Sequence, residues 1–365
     1  MDPIRVIISG GGTGGHIFPA ISIANKVKEL MPEAKILFVG ALGKMEMDKV
    51  PAAGYEIVGL PVAGFHRKLT LRNLAFPFKL INSLLKARGV IRRFKPDVAV
   101  GVGGYASGPV LRIASQNGIP SLLQEQNSFP GVTNRLLAKK ASKICVAYEG
   151  MERFFAKEKI LITGNPVRKD LLSDIKREEA IRFWNFDINK KTILVIGGSL
   201  GARSINNGII ETIGQLPVDT QMIWQTGKFY IDEMKAKLPA DLSDRVLVTD
   251  FISRMDMAFA AADLVVSRAG ASSISELAIL GKPSVFVPSP NVSEDHQAKN
   301  AMALVRKEAA VLVKDDDVNK VIEEASKLLN DEKKLNHLSV NIKQFAKPDA
   351  ASDIGKEVIK LAQGN

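Results

Sequence analysis

The sequence predicts two consecutive α/β domains, each a parallel sheet covered by helices on both faces. Three observations predict this class. Short β-branched apolar runs alternate with helical patterns along the whole chain, as crossover-connected parallel strands require. A unit of strand, glycine loop and helix opens the chain at Ile4 and recurs at Thr192. The 365 residues are enough for about two separate cores.

Ile4–Ile8 reads as a buried strand. It runs into Ser9-Gly10-Gly11-Gly12-Thr13-Gly14-Gly15-His16, after which Ile17, Phe18, Ala20, Ile21, Ala24, Val27 and Leu30 fall at helical spacing. Pro19 is expected in the first turn, where its missing N–H costs nothing. Such a junction aims unpaired backbone N–H groups and a helix dipole at one point, a seat for phosphate. Strands are then expected at Lys35–Gly40, Glu56–Leu60, Asp97–Val102, Ser121–Gln124, Lys143–Ala147 and Ile160–Thr163. The restart strand Thr192–Ile196 leads into Gly197-Gly198-Ser199-Leu200-Gly201-Ala202-Arg203 and a helix. Met222–Gln225, Val246–Thr249, Leu264–Ser267, Ser284–Val287 and Ala310–Val313 complete the second set. Gly164-Asn165-Pro166-Val167-Arg168 marks the boundary, because Asn-Pro favours a turn and disfavours helix before it. The expected domains are therefore 1–165 and 166–346, with the ligand in a cleft facing the carboxyl ends of both sheets.

The totals exclude several classes. Cys145 is the single cysteine, so no internal disulfide forms and a reducing compartment is expected. The N-terminus lacks the basic and apolar regions of a signal peptide, and no apolar run reaches the roughly 18 residues of a membrane span. The expected location is cytosolic or at a membrane surface. A net charge of +11 calls for an anionic partner.

That charge is concentrated between Ile57 and Pro96, a segment without one acidic residue. Arg67, Lys68, Arg72, Lys79, Lys86, Arg88, Arg92, Arg93 and Lys95 are interleaved there with phenylalanines and leucines. The pattern suits a face lying on anionic lipid, each cation contributing on the order of 1 kcal/mol. The competing reading is an amphipathic helix packed on the sheet with solvated lysines. A nucleic-acid groove is disfavoured, because phenylalanines beside leucines and a proline make a poor stacking surface.

Which phosphate compound does the opening loop imply? Gly10, Gly12 and Gly15 satisfy G-x-G-x-x-G, but the second strand ends Phe38-Val39-Gly40-Ala41 without the carboxylate that a nicotinamide cofactor needs. A P-loop would close on Gly-Lys-Ser/Thr, and this loop closes on Gly15-His16. The second domain offers a better nucleotide site. Strand Leu264–Ser267 runs into Arg268-Ala269-Gly270-Ala271-Ser272-Ser273-Ile274-Ser275-Glu276, whose amides and hydroxyls suit a diphosphate. Glu276 could accept both hydroxyls of a ribose. Ser273 and Glu276 also have capping-box spacing, so simple helix capping is the alternative.

SGGGTGGHIFPA, GVGGYASGP, EQNSFPG, GNPVR, IGGSLGAR, SRAGASSISE and SEDHQAKNA occur in this order across nearly the whole chain. The ordered set resembles the MurG-type transferases of peptidoglycan synthesis. The resemblance implies a GT-B fold, two Rossmann-like parallel-sheet domains facing across a cleft, with the helix Ala350–Ala362 returning to the first domain within 347–365. It implies inverting transfer of N-acetylglucosamine from UDP-N-acetylglucosamine to the C4 hydroxyl of undecaprenyl-diphospho-N-acetylmuramoyl-pentapeptide. No cofactor or metal is implied, and no nucleic acid. The implied setting is peripheral, on the cytoplasmic side of the inner membrane, beside other proteins of cell-wall synthesis.

Carried onto this chain, Ser199 and Ser272, Ser273, Ile274, Ser275 and Glu276 would hold the UDP part. Ile252 would meet uracil through its backbone, Glu276 the ribose, and Arg168 the diphosphate. Ala271, Gln297 and Asn127 would lie near the donor sugar, and Thr13, Gly14 and Gly15 belong to the same set. Gly11, Gly12, Gly103, Gly104 and Tyr105 resemble the acceptor-diphosphate site. The PNVSEDHQ stretch before Gln297 departs from the family's usual length and composition.

Inversion needs a general base and stabilisation of departing UDP. His16, at the edge of the opening loop, titrates in the useful range and is the candidate base. Its alternatives are to orient the loop or to contact acceptor phosphate. Asp315-Asp316-Asp317 has D-x-D spacing, but the acids suit the start of a helix Val318–Leu329 better than a metal. His66 and His337 are expected on the surface. Rival readings are a UDP-sugar epimerase and a diacylglycerol glycosyltransferase on the same fold.

Overall fold

Runs such as Val6-Ile7-Ile8 and Ile193-Leu194-Val195 are fully buried, as strands covered by helices on both faces must be. The computed structural model describes residues 3–62, 76–167, 171, 174–198, 200–292 and 295–364, with Phe76 and Pro77 as backbone. Two units result, Met1–Val167 with Lys347–Asn365, and Arg168–Ala346.

The first unit carries β1 (Arg5–Ser9), β2 (Lys35–Ala41), β3 (Glu56–Leu60), β4 (Val98–Gly101), β5 (Ser121–Glu125), β6 (Lys143–Val146) and β7 (Ile160–Ile162). They form one sheet in the order β3-β2-β1-β4-β5-β6-β7, parallel throughout. The second unit carries β8 (Lys191–Ile196), β9 (Thr220–Gln225), β10 (Val246–Thr249), β11 (Leu264–Ser267), β12 (Ser284–Phe286) and β13 (Val311–Leu312). Its order is β10-β9-β8-β11-β12-β13, again parallel. Every expected strand is present, with ends displaced by at most two residues.

Each sheet winds outward in both directions from its first strand. The direction reverses between β1 and β4 in one unit and between β8 and β11 in the other. In open parallel sheets a switch point is where ligands bind, beyond the carboxyl ends of the two strands. The four chemistry-bearing loops, after β1, β4, β8 and β11, sit at these two places.

The helix Ala350–Ala362 packs on Gly14–Leu30, burying Ile354 and Val358 against Ile17, Ile23 and Val27. Burial of such side chains stabilises by about 1.5–3 kcal/mol each. Two expectations change. The first helix begins at Gly14, which places Pro19 in its second turn; the Gly15 carbonyl therefore lacks its usual helical donor. The late helix starts at Val321, not Val318, after a 3-10 turn over Asp315–Lys320 in which Asp317 leaves helical geometry. Asp315 is held elsewhere, as described below.

Candidate functional site

In the first unit the loops after β1 and β4 meet backbone to backbone. Gly104, at φ +81°, lies so close to Gly11 that any Cβ would strike the Gly11 carbonyl. The Ser107 hydroxyl lies 2.7 Å from Ser9 O and 2.9 Å from Gly103 O, tying the ends of both strands together. The structure thus brings Gly11, Gly12, Gly103, Gly104 and His16 into one cluster, with Tyr105 exposed beside it.

His16 lies in the first turn of the helix Gly14–Leu30. Its Nδ1 is 3.1 Å from Gly11 O and 3.2 Å from Thr13 Oγ1. A carbonyl can only accept, so Nδ1 donates to Gly11 O, and in the neutral ring the lone pair is then on Nε2. Gly103 leaves the room in which the Cδ2–Nε2 edge of the ring lies.

Beneath this cluster sits a residue that the motif reading passed over. Glu46, 1% exposed, accepts the Gly12 N–H at 2.9 Å and the Ala41 N–H at 2.9 Å through its two carboxylate oxygens. One amide of the opening loop is thereby already occupied by an anion, which corrects the expectation that this amide faces phosphate.

Glu125, the last residue of β5, is buried and accepts four N–H donors. These are Asn127 N at 3.0 Å, Asn127 Nδ2 at 3.2 Å, Gly131 N at 3.2 Å and Asn134 Nδ2 at 2.8 Å. Burial lifts its pKa above the usual carboxylate range, while the four donors pull it back. Asn127 is thus oriented by Glu125. Gln124 bonds Asn165 at 2.8 Å and Asn165 bonds Gln126 O at 3.1 Å, so the boundary turn is anchored to the end of β5.

In the second unit a cavity of about 650 Å³ opens at the switch point, walled by Gly197, Gly198, Arg268, Gly270, Ser273 and Gln297. The helix Ala271–Leu280 points its N-terminus here. Its N-cap is Gly270, which has no side chain, so the capping alternative for Ser273 and Glu276 falls. Ser272 Oγ is buried without a hydrogen-bond partner among the described residues. Ala271 and Ile274 are buried, and the Ile274 amide already donates to Gly270 O at 2.9 Å. Ser275 Oγ bonds back to Ala271 O at 3.0 Å, and Glu276 follows it in the second turn of the helix. Gln297 is oriented by the Ser289 N–H, which its Oε1 accepts at 2.8 Å. Ile252 is buried just after β10.

Arg268 reaches Asp315 at 2.5 Å and Ser204 at 2.6 Å, and Ser204 reaches Asp315 at 2.7 Å. Asp317 pairs with Lys320 at 2.7 Å. The D-x-D acids are thus each engaged by a cation. No group of three potential metal-ligating side chains occurs among the described residues. Gly201 and Gly227 allow the loop after β8 to pack on the turn after β9. His337 is exposed and bonds Glu308 at 2.8 Å. Arg168, Ser199, Arg67, Lys68, Arg72 and His66 lie outside the described residues.

Two family models match the chain. The glycosyltransferase family 28 N-terminal domain matches residues 6–146, and the family's C-terminal domain matches residues 192–354. The chain is 56% identical, over 100% of its length and 99% of the relative's, to a Flavobacterium psychrophilum protein. It is 59% identical, over 99% and 97%, to one from Bacteroides fragilis. Both bear the name UDP-N-acetylglucosamine--N-acetylmuramyl-(pentapeptide) pyrophosphoryl-undecaprenol N-acetylglucosamine transferase. Among solved structures it resembles Acinetobacter baumannii MurG, with TM-score 0.79 and 27% identity over 98% of this chain and 100% of that one. A Neisseria meningitidis UDP-GlcNAc 2-epimerase bound to UDP-GlcNAc shares the fold, with TM-score 0.67 and 14% identity over 100% of both chains.

Proposed function

The chain belongs to glycosyltransferase family 28, and from that premise we propose that it moves N-acetylglucosamine from UDP-N-acetylglucosamine to the C4 hydroxyl of undecaprenyl-diphospho-N-acetylmuramoyl-pentapeptide. It is an N-acetylglucosaminyltransferase of the GT-B fold and serves peptidoglycan synthesis. The observation that carries the reading is end-to-end identity above half with transferases of that name, on a chain whose second unit opens a cavity at its switch point.

The second-unit cavity suits the UDP half. Glycine-loop amides and the N-terminus of the helix Ala271–Leu280, with Ser273 on the cavity wall, are donors for a diphosphate, and Ser272 is assigned to it on the family pattern. They stabilise charge as UDP departs, and Glu276 reaches the ribose in this reading. Arg168 and Ser199 are assigned to the diphosphate on the family pattern, and Ile252 to uracil. In the first unit His16 takes the proton of the acceptor hydroxyl on Nε2, while Gly103, Gly104 and Tyr105 flank the acceptor diphosphate. Asn127, Gln297 and Ala271 contact the donor sugar.

We further assign the first unit to the membrane surface. On the helix Phe76–Phe94, Phe78, Ile81 and Leu85 are 76%, 56% and 64% exposed, while Ala87, Val90 and Ile91 form the buried face. A helix packed only on its sheet has no use for three exposed large apolar residues among lysines and arginines. No helix among the described residues is long and apolar enough to cross a membrane. Attachment is therefore peripheral in this reading, on the cytoplasmic face where UDP-sugars are found.

The deciding assay supplies labelled UDP-N-acetylglucosamine with the lipid-linked muramoyl-pentapeptide and looks for a disaccharide lipid. Transfer to diacylglycerol alone, or epimerisation of the donor without transfer, would replace this function with one of its rivals.

A further inference from the structure

Glu46 and His16 grip opposite ends of one peptide group. The Gly11 carbonyl, which receives His16 Nδ1–H at 3.1 Å, and the Gly12 N–H, which donates to Glu46 Oε2 at 2.9 Å, belong to the same planar unit. No cis peptide bond occurs among the described residues, so the C=O and N–H of that unit point in opposite directions. Carboxylate, peptide and imidazole therefore form a continuous hydrogen-bonded line. Its geometry is enforced from several sides. Glu46 is 1% exposed at the start of the helix Glu46–Ala52, where the helix dipole favours an anion, and its second oxygen is fixed by Ala41 N–H. A Cβ at Gly11 or Gly40 would collide with the Glu46 side chain, and one at Gly104 with the Gly11 carbonyl. Three glycines thus clear space around one carboxylate and one peptide.

An anion accepting the N–H end of a peptide makes its carbonyl a stronger acceptor, because hydrogen bonds in a chain polarise one another. A stronger acceptor at Gly11 O holds the proton on Nδ1 and the lone pair on Nε2. In serine proteases a buried aspartate does this by touching the histidine directly. Here a peptide stands between them.

We propose that Glu46 is the positioning residue of His16, acting through the Gly11–Gly12 peptide to set the imidazole's tautomer and orientation. This rests on the reading of His16 as general base.

The test compares Glu46→Gln, His16→Ala and the double variant in full-length enzyme. A glutamine has one carbonyl oxygen where two N–H groups need acceptors. Glu46→Gln should lower kcat roughly 10- to 100-fold, the scale of a misplaced catalytic group, with KM for UDP-N-acetylglucosamine unchanged. The double variant should be no slower than His16→Ala. Wild-type kcat in Glu46→Gln beside an inactive His16→Ala overturns the positioning role alone, as do losses that multiply in the double variant. Wild-type kcat in His16→Ala removes the base reading and this proposal together. Should Glu46→Gln fail to fold, the imidazole nitrogen shifts of His16 in the unsubstituted enzyme still decide. Protonation at Nδ1 supports the proposal, and protonation at Nε2 overturns it.

Discussion

Glu125 shows how much one buried side chain organises, since four N–H donors converge on its two oxygens. Glu125→Gln turns an NH2 toward some of those donors and should destabilise the fold by about 2–3 kcal/mol, read as a lower urea midpoint. Lys282 predicts a pH dependence. Burial lowers its pKa to about 8, although its Nζ donates to Ala262 O at 2.7 Å. Above about pH 8 the folded state releases this proton before the unfolded state does, so stability contributed at this site rises with pH. Wild type should gain stability relative to Lys282→Met between neutral and alkaline buffer, as followed by urea midpoints. Cys145 is fully buried, with its thiol pushed up to about 12, so alkylation should occur only on unfolding, as mass spectrometry would show. Glu46 was not legible in the sequence for a definable reason. The motif seeks an acid at the end of the second strand, and this acid comes from the following helix and folds back beneath the loop.

At the level of elements, the strands were legible because burial on both faces demands continuous β-branched runs, whatever the order of the strands. Their ends shifted where loops took over the last pairings. The late helix was misjudged at its start because Asp315 is drawn into the Arg268–Ser204 cluster, a long-range contact that local pattern does not encode. Capping at Ser273 was a local-pattern alternative that the glycine N-cap removed. The contact between the loops after β1 and β4 gives a sharp prediction. Gly104→Ala combines a Cβ clash with Gly11 and an unfavourable φ of +81°, and it should abolish transfer while leaving UDP affinity intact. Equilibrium binding of UDP beside a turnover assay separates the two effects. In the terminal helix, Ile354→Ala should cost about 2–5 kcal/mol, measured by denaturant unfolding of the full chain.

For the molecule as a whole, the net charge of +11 and the exposed apolar residues of the helix Phe76–Phe94 combine into one expectation. Binding to vesicles of anionic lipid should weaken as salt rises, because the contribution of each cation is screened within a Debye length. Reversing charge at Lys79 and Lys86 should weaken it further in a flotation assay, while Phe78→Ser should weaken it with little change in salt dependence.

The return of the helix Ala350–Ala362 onto the helix Gly14–Leu30 has a consequence for the order of biosynthesis. A ribosome delivers the first helix before the second unit and its packing partner after it. Until the helix Ala350–Ala362 leaves the exit tunnel, the apolar face formed by Ile17, Ile23 and Val27 has no Ile354 or Val358 to cover it. The nascent chain thus carries an unfinished first unit throughout synthesis of the second. Premature termination between β7 and the helix Ala350–Ala362 leaves that face bare for proteolysis or aggregation.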